Sequence, residues 1–242
     1  MLVHDGVAGP HRSHSHHNNL GKLRRTIEGD PDCTFGVSGL EVLTMETAMA
    51  AMADVTGWRP EEPTDYVDPE KTIAAAIAAG ELCARYARPG ADAIVATGHP
   101  DTLLLLLNGI ADDLEEAGMT VRRALSGHLV KAGYRARSIE YEGKVAVLAD
   151  EWGAVHTHSP EGMRELLAAA AAPALVVADH GWAGAAMEAG IPTAATLDTN
   201  DPALALAALR GGESALIPLD DGRPPSTYQP VLDAFRAGFH GR

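Results

Sequence analysis

The sequence predicts an α/β fold: a three-layer, Rossmann-like, mostly parallel sheet with an antiparallel β-meander inserted into it. Three observations predict it. Short apolar runs at 93–96, 174–178 and 193–197 have the length and composition of buried strands. Each run stops at a polar cluster: Thr97-Gly98-His99, Asp179-His180-Gly181 and Asp198-Thr199-Asn200-Asp201. An apolar segment of helical character follows each cluster, and strand, turn, helix is the repeating unit of a parallel sheet with right-handed crossovers. In such a sheet the carboxyl ends of the strands share one edge, which is where open α/β sheets place their ligands.

The elements follow in order. Residues 1–18 are polar, carry His11, His14, His16 and His17, and are expected to form a flexible tail. Clustered imidazoles can also bind metal, but no helical pair spacing is present. A single α/β domain is expected over 19–242. Residues 20–28 form a basic helix, 33–37 a short strand, and 44–55 a helix ending near Gly57. Asp68-Pro69 starts a helix that runs to about Tyr86, with Asp as N-cap and Pro in the first position.

A strand at 91–97 and a helix at 101–117 come next, then a strand at 119–125. Residues 127–137 read as irregular. Strands at 138–141, 144–149 and 154–158 make the meander. Ser159-Pro160 opens a helix to about Ala172. The chain then alternates strand 174–178, helix to 189, strand 193–197, helix 202–209 and strand 213–218, and ends in a helix over 228–239.

Bulk properties restrict the function. The 242-residue chain is 46% hydrophobic, enough for a substantial core. Its formal charge is −14 with no basic stripe, which argues against a nucleic-acid partner. A local cationic or metal site can still hold a phosphate. The longest leucine run, 103–107, is far short of the roughly 20 residues needed to span a bilayer, so no membrane partner is expected. Cys33 and Cys83 form no disulfide framework, and no apolar leader opens the chain; both fit a cytoplasmic protein. A homodimer is the default assembly.

The strand-end clusters carry the chemistry. A fourth, His156-Thr157-His158-Ser159, lies at another strand-to-helix junction. Two residues apart in a strand, His156 and His158 lie on one face about 6–7 Å apart and can share a metal. With Asp198 and Asp201 they form the expected metal set. Mixed His/Asp ligation suits Zn²⁺ or Mn²⁺, and carboxylates alone suit Mg²⁺. His99, His180 and Asp179 are the expected catalytic groups, with His99 or His180 protonating a leaving group. Thr97, Gly98, Gly181, Thr199 and Asn200 are the expected substrate-binding positions, aided by helix N–H groups. The competing reading of Asp179, Asp198 and Asp201 is helix capping alone.

Other reaction classes lack their motifs. There is no GxSxG elbow, no Walker loop and no GxGxxG opening a helix. The first strand is followed by no DxD, and Cys83 sits inside a helix. What remains is a metal-assisted hydrolase.

The segments ATGHP (96–100), VHTHSPEGM (155–163), VVADHGWAGAAMEAGIPT (176–193), DTNDPALA (198–205) and PLDDGRPPSTYQPV (218–231) resemble a family of actinobacterial proteins of about this length, labelled phosphatases. The resemblance runs from about Asn18 to the C-terminus. It implies phosphate-ester hydrolysis on a small phosphorylated substrate, and it marks Gly98, His99, His156, His158, Asp179, His180, Asp198, Asn200 and Asp201 as motif positions. One alternative is a module that binds a sugar phosphate or nucleotide without turnover. Another rests on His99-Pro100-Asp101, which is similar to the AHPDD motif of zinc-dependent deacetylases; here Thr102 replaces the second Asp and the motif lies mid-chain.

Overall fold

Along the central strands, neighbouring residues alternate between two separate cores. Ile94, Ala96, Val176, Ala178, Ala195 and Leu197 pack into one, and Ala93, Val95, Leu175, Val177, Ala194 and Ile217 into the other. This two-residue period is what a sheet covered on both faces requires. The structure, a computed structural model, describes residues 2–11, 13–59, 61–62, 64–132 and 135–241. Parts of the expected loops at 60–69 and 127–137 lie outside those ranges.

The strands are β1 Asp92–Val95, β2 Thr120–Val121, β3 Leu129–Ala132, β4 Arg135–Glu142, β5 Val145–Asp150, β6 Gly153–Ala154, β7 Leu175–Ala178, β8 Thr193–Leu197 and β9 Ser214–Pro218. A two-residue pairing joins Gly9–Pro10 to Tyr66–Val67. The longer helices are α1 His16–Ile27, α2 Met45–Thr56, α3 Pro69–Tyr86, α4 Pro100–Glu116, α5 Glu161–Ala168, α6 His180–Glu188, α7 Pro202–Ala208 and α8 Gln229–His240.

Five strands make a parallel sheet in the order β9-β8-β7-β1-β2. Helices α3, α4 and α8 cover one face, and α1, α2, α5, α6 and α7 the other. The expected three-layer arrangement is therefore present. Strand order reverses at the β1–β7 pair: the chain steps from β1 outward to β2, and from β7 outward the opposite way to β8 and β9. Helix α4 leaves β1 toward one face while α6 leaves β7 toward the other, so a crevice opens between their starts. That is the topological switch point, the general ligand position of open α/β sheets.

The expected meander is an antiparallel sheet in the order β3-β4-β5-β6. It is fastened to the carboxyl end of β1. Ala96 bridges Ala146 in parallel, and the Thr97 N–H donates to the Ala146 carbonyl at 2.9 Å. The second sheet thus forms a wall beside the switch point.

Several local expectations change. Residues 33–37 are not a strand. Asp30 caps a short helix, Pro31–Thr34, accepting the Asp32 N–H at 3.0 Å with Pro31 in the first position, the same start that Asp68-Pro69 makes. Residues 127–137 contain β3, whose Leu129 and Lys131 are exposed and whose Val130 and Ala132 are buried. Of 119–125, only Thr120–Val121 pairs. Of 154–158, only Ala154 lies in a strand; the Val155 N–H reaches the Leu148 carbonyl and the chain then leaves the sheet.

The described residues of 2–11 do not trail from the domain. Leu2, Val7 and Ala8 are buried in the core, and His11 follows in the crevice with its side chain fully buried.

Candidate active site

The switch point brings the first two strand-end clusters side by side. Asp179 holds the N-cap position of α6 without capping it. Its carboxylate turns instead to the neighbouring strand end, accepting the Thr97 hydroxyl at 2.6 Å and the Gly98 N–H at 2.5 Å. Burial raises the Asp179 pKa, while His180 and these hydrogen bonds oppose the rise. Thr97 in turn accepts the His99 N–H at 2.9 Å. Asp179 and Thr97 are therefore a clamp between β1 and β7.

Residues 156–159 cross both turns at close range. The Thr157 N–H donates to the Gly98 carbonyl at 2.8 Å. A Cβ on Gly98 would lie 2.2 Å from the Thr157 oxygen, and one on Gly181 2.2 Å from the His158 oxygen. Both glycines are required for this crossing, because no side chain fits. The crossing sets four imidazoles together. The rings of His156 and His158 lie 5.2 and 5.0 Å from that of His180, and the His99 ring lies 4.5 Å from His156. His158 Nδ1 donates to the Asp32 carbonyl at 2.8 Å, which leaves its Nε2 available. Burial, then the neighbouring His180, pushes His156 down to about 3 and His158 down to about 4. Both rings are neutral near pH 7. His180 itself holds φ +42°, a left-handed conformation that a β-carbon makes unfavourable by about 1–2 kcal/mol.

The other side of the cluster is acidic. His180 Nε2 lies 3.4 Å from Asp201 Oδ2 and 3.4 Å from Asp221 Oδ2. His99 Nε2 lies 3.7 Å from Asp221 Oδ1. The Thr102 hydroxyl donates its one proton to the Asp221 carbonyl, so it accepts from His99 Nδ1 at 2.7 Å. In the neutral ring that pairing places the proton on Nδ1 and leaves Nε2 as the acceptor. Further along, His11 Nε2 meets Asp198 Oδ1 at 2.5 Å, and His14 Nε2 stands 3.7 Å from Asp198 Oδ2.

Charge in this crevice is unbalanced. Asp198, Asp201, Asp220 and Asp221 are all nearly or fully buried. Burial and the charge of Asp221 push Asp198 up to about 8. Burial works to lower His11, but its bond to Asp198 and the surrounding carboxylates outweigh that and push it up to about 9. Burial likewise opposes a charged His180, yet Asp201 and Asp179 hold its pKa well above the ordinary value.

The expected site residues divide into two kinds. His99, His156, His158, His180, Asp198 and Asp201 enter the crevice. Thr97, Asp179, Gly98 and Gly181 shape it from behind. Thr199 accepts from the Asn19 amide at 2.8 Å, and Asn200 bonds His14 at 3.0 Å, so both are tied into the scaffold. The expected metal set does not form one group: His156 and His158 gather with His180, whereas Asp198 and Asp201 belong to different acidic groups. Sequence reasoning missed His11, His14, Asp220, Asp221 and Thr102. The signal for the two aspartates was available, because Asp220-Asp221 follows the last strand as the other clusters follow theirs. Nothing local marked His11 or His14 beyond the histidine-rich composition.

A cavity of about 680 Å³ opens beside His156 and His158 and runs between 31–38 and the meander wall. Lys131, Arg137 and Arg164 line it. Arg164 is paired with Glu161 at 2.6 Å, but the buried Nη1 of Arg137 has no hydrogen-bond partner. Lys131 and Arg137 thus bring positive charge to a cavity that Asp32 and Glu161 also line.

A family model described as Phosphatase matches residues 1–235. The chain belongs to this Phosphatase family. A relative in Streptomyces coelicolor, named Phosphatase SCO2771, is 32% identical over 228 residues, covering 90% of this chain and 86% of its own length. The match begins at residue 1, so this Phosphatase-family domain includes the segment that carries His11 and His14.

Among the described residues of this Phosphatase-family chain, four sets of three side chains can converge on an ion. They are His156/His158/His180, His11/Asp198/Asp220, His14/Asp198/Asp221 and His180/Asp201/Asp221, each with its ligand atoms within 4.8 Å of one another. The donor chemistry, imidazole with carboxylate, fits a divalent transition ion. Asp101 is exposed and belongs to none of these sets. No helix among the described residues is long and apolar enough to cross a membrane.

Proposed function

We propose that this chain is a metal-assisted phosphatase of small phosphorylated metabolites, acting at the β1–β7 switch point. The observation that carries this reading is the junction of two environments. Lys131 and Arg137 on the cavity wall suit an anionic substrate, and the histidines the cavity opens onto border an acidic cluster that demands a cation. Family membership supports phosphate-ester chemistry.

A divalent ion held by residues such as His180, Asp201 and Asp221 would supply charge neutralisation for the phosphoryl oxygens and would make water a stronger acid. The chain's own groups do the rest. His156, neutral and facing the cavity, donates its ring N–H to the entering phosphate, and His158, whose Nδ1–H is committed to Asp32, offers Nε2 as an acceptor to water or a substrate hydroxyl. Hydrolysis forms a bond from the water oxygen to phosphorus and breaks the bond from phosphorus to the ester oxygen. The water proton passes to His99 Nε2, which the Thr102 contact keeps open as an acceptor. The leaving oxygen takes a proton from cavity water. Asp179 and Thr97 hold the Gly98 turn, and so His99 and His180, in place.

The deacetylase reading would need Asp101 as a ligand, and Asp101 is exposed and outside all four candidate ion groups. A binding-only role is the remaining alternative. Phosphate release measured over a metabolite panel with Mg²⁺, Mn²⁺ and Zn²⁺ tests the proposal. Turnover with at least one ion is expected, falling at least about 100-fold in His180→Ala. No turnover with any ion, or equal turnover in His99→Ala and His180→Ala, overturns it.

A further inference from the structure

We propose that the crevice holds two divalent ions sharing Asp221: one seated by His14, Asp198 and Asp221, the other by His180, Asp201 and Asp221. The inference deepens the metal-assisted reading above and rests on it for its catalytic meaning, but its geometry stands separately.

The second seat is the plainer one. Two ligand atoms each about 2.1 Å from an ion, at the tetrahedral angle, lie about 3.4 Å apart. His180 Nε2 is 3.4 Å from both Asp201 Oδ2 and Asp221 Oδ2. An ordinary N–H···O contact is about 2.9 Å, so these spacings fit the edges of a coordination shell better than a pair of hydrogen bonds.

The first seat is marked by an orphaned atom. Asp198 is fully buried, and its Oδ2 has no hydrogen-bond partner. A buried carboxylate oxygen left alone is costly unless something positive sits there. His14 Nε2 is 3.7 Å away, and Asp221 completes the set. The seat gives up one contact, because an ion on His14 Nε2 displaces its bond with Asn200.

The neighbouring sets serve other ends. His11 Nε2 meets Asp198 Oδ1 at 2.5 Å, a contact in which the ring nitrogen is the donor to the carboxylate. That nitrogen has no lone pair for an ion, and His11 is a positioning residue. Asp220 Oδ1 accepts the Ser13 hydroxyl and the Gly222 N–H. His156 and His158 have no carboxylate in their set and face the cavity. Two divalent ions also balance the four buried carboxylates Asp198, Asp201, Asp220 and Asp221 in number of charges. A carboxylate common to both seats sets the ions at the close spacing, about 3.5–4 Å, of two-metal hydrolytic centres.

The test is reconstitution of the full-length, metal-stripped chain with Mn²⁺, read by elemental analysis and electron paramagnetic resonance. Two Mn²⁺ per chain and an exchange-coupled multiline spectrum are expected. Asp198→Asn and Asp201→Asn should each retain one ion with a six-line spectrum, while His158→Ala should retain both. One ion or none in the wild type, two uncoupled ions, or loss of an ion in His158→Ala overturns the proposal. The wild-type measurement needs no variant to fold. Two coupled ions without phosphate release would sink the catalytic reading and leave this one standing; one ion with phosphate release would do the reverse.

Discussion

His11 and Asp198, 187 residues apart in the chain, meet with Nε2 2.5 Å from Oδ1, both side chains wholly removed from solvent. The contact fastens the N-terminal segment to the end of β8 and orients the Asp198 carboxylate. His11→Ala should therefore lower phosphate-release kcat/KM by about 10–100-fold, the usual effect of removing a group that orients a ligand. It should also destabilise the fold by about 1–3 kcal/mol by leaving a buried acceptor unpaired. Steady-state kinetics and chemical denaturation check both. Wild-type kinetics in this variant would show that the segment is outside the working site.

Asp179 braces the end of β1 against that of β7 through the Thr97 hydroxyl and the Gly98 N–H. In Asp179→Asn one carboxylate oxygen becomes an NH₂ that confronts either the Thr97 hydroxyl or the Gly98 N–H. The expected result is a lower melting temperature and a drop in kcat of about 10-fold, with bound Mn²⁺ unchanged. A collapse of kcat by several orders of magnitude with no change in melting temperature would instead place Asp179 at the reacting atoms.

Gly98 is constrained by the chain that crosses it. Gly98→Ala puts a methyl group 2.2 Å from a backbone oxygen and 3.0 Å from His180 Nδ1. Relief requires moving residues 156–159, so a loss of about 1–3 kcal/mol is expected, with a fall in activity because His156 and His158 move with the backbone. Denaturant midpoints and kinetics on the same preparation read this out. A fully stable and active Gly98→Ala would contradict the close crossing.

Arg137 has a buried guanidinium nitrogen without a partner on the cavity wall. Arg137→Met should raise KM by about 10-fold or more with kcat within about twofold, the signature of lost binding that is uniform between ground and transition states. The comparison should use the best metabolite of the panel. An unchanged KM would remove Arg137 from the substrate's path.

Much of the fold was legible because it is written in local signals. Asp68-Pro69 begins α3 and Gly57 ends α2 at the residues expected from capping chemistry. The apolar runs at 174–178 and 193–197 are buried on both faces, so their lack of alternation identified them. The departures also have local causes. The Asp30-Pro31 start was passed over in favour of a strand, and the alternation at 129–132 was hidden among turn residues. Residues 155–158 looked like a strand by composition, but their hydrogen bonds go to Leu148 and Gly98 rather than to a ladder.

The site was only half legible. Sequence alone determined the αβ alternation, the strand-end clusters and the positions of His99, Asp179, His180, Asp198 and Asp201, because each depends on residues a few places apart. Only the tertiary structure decided which of them meet. Strand order placed β1 beside β7, turned Asp179 into a brace across them, and split the expected metal ligands between two neighbourhoods. It also carried His11 and His14 into the crevice from a stretch that reads as a tail. Those outcomes depend on contacts between residues about 20 to nearly 190 positions apart, and a period of two or 3.6 residues carries no information at that range.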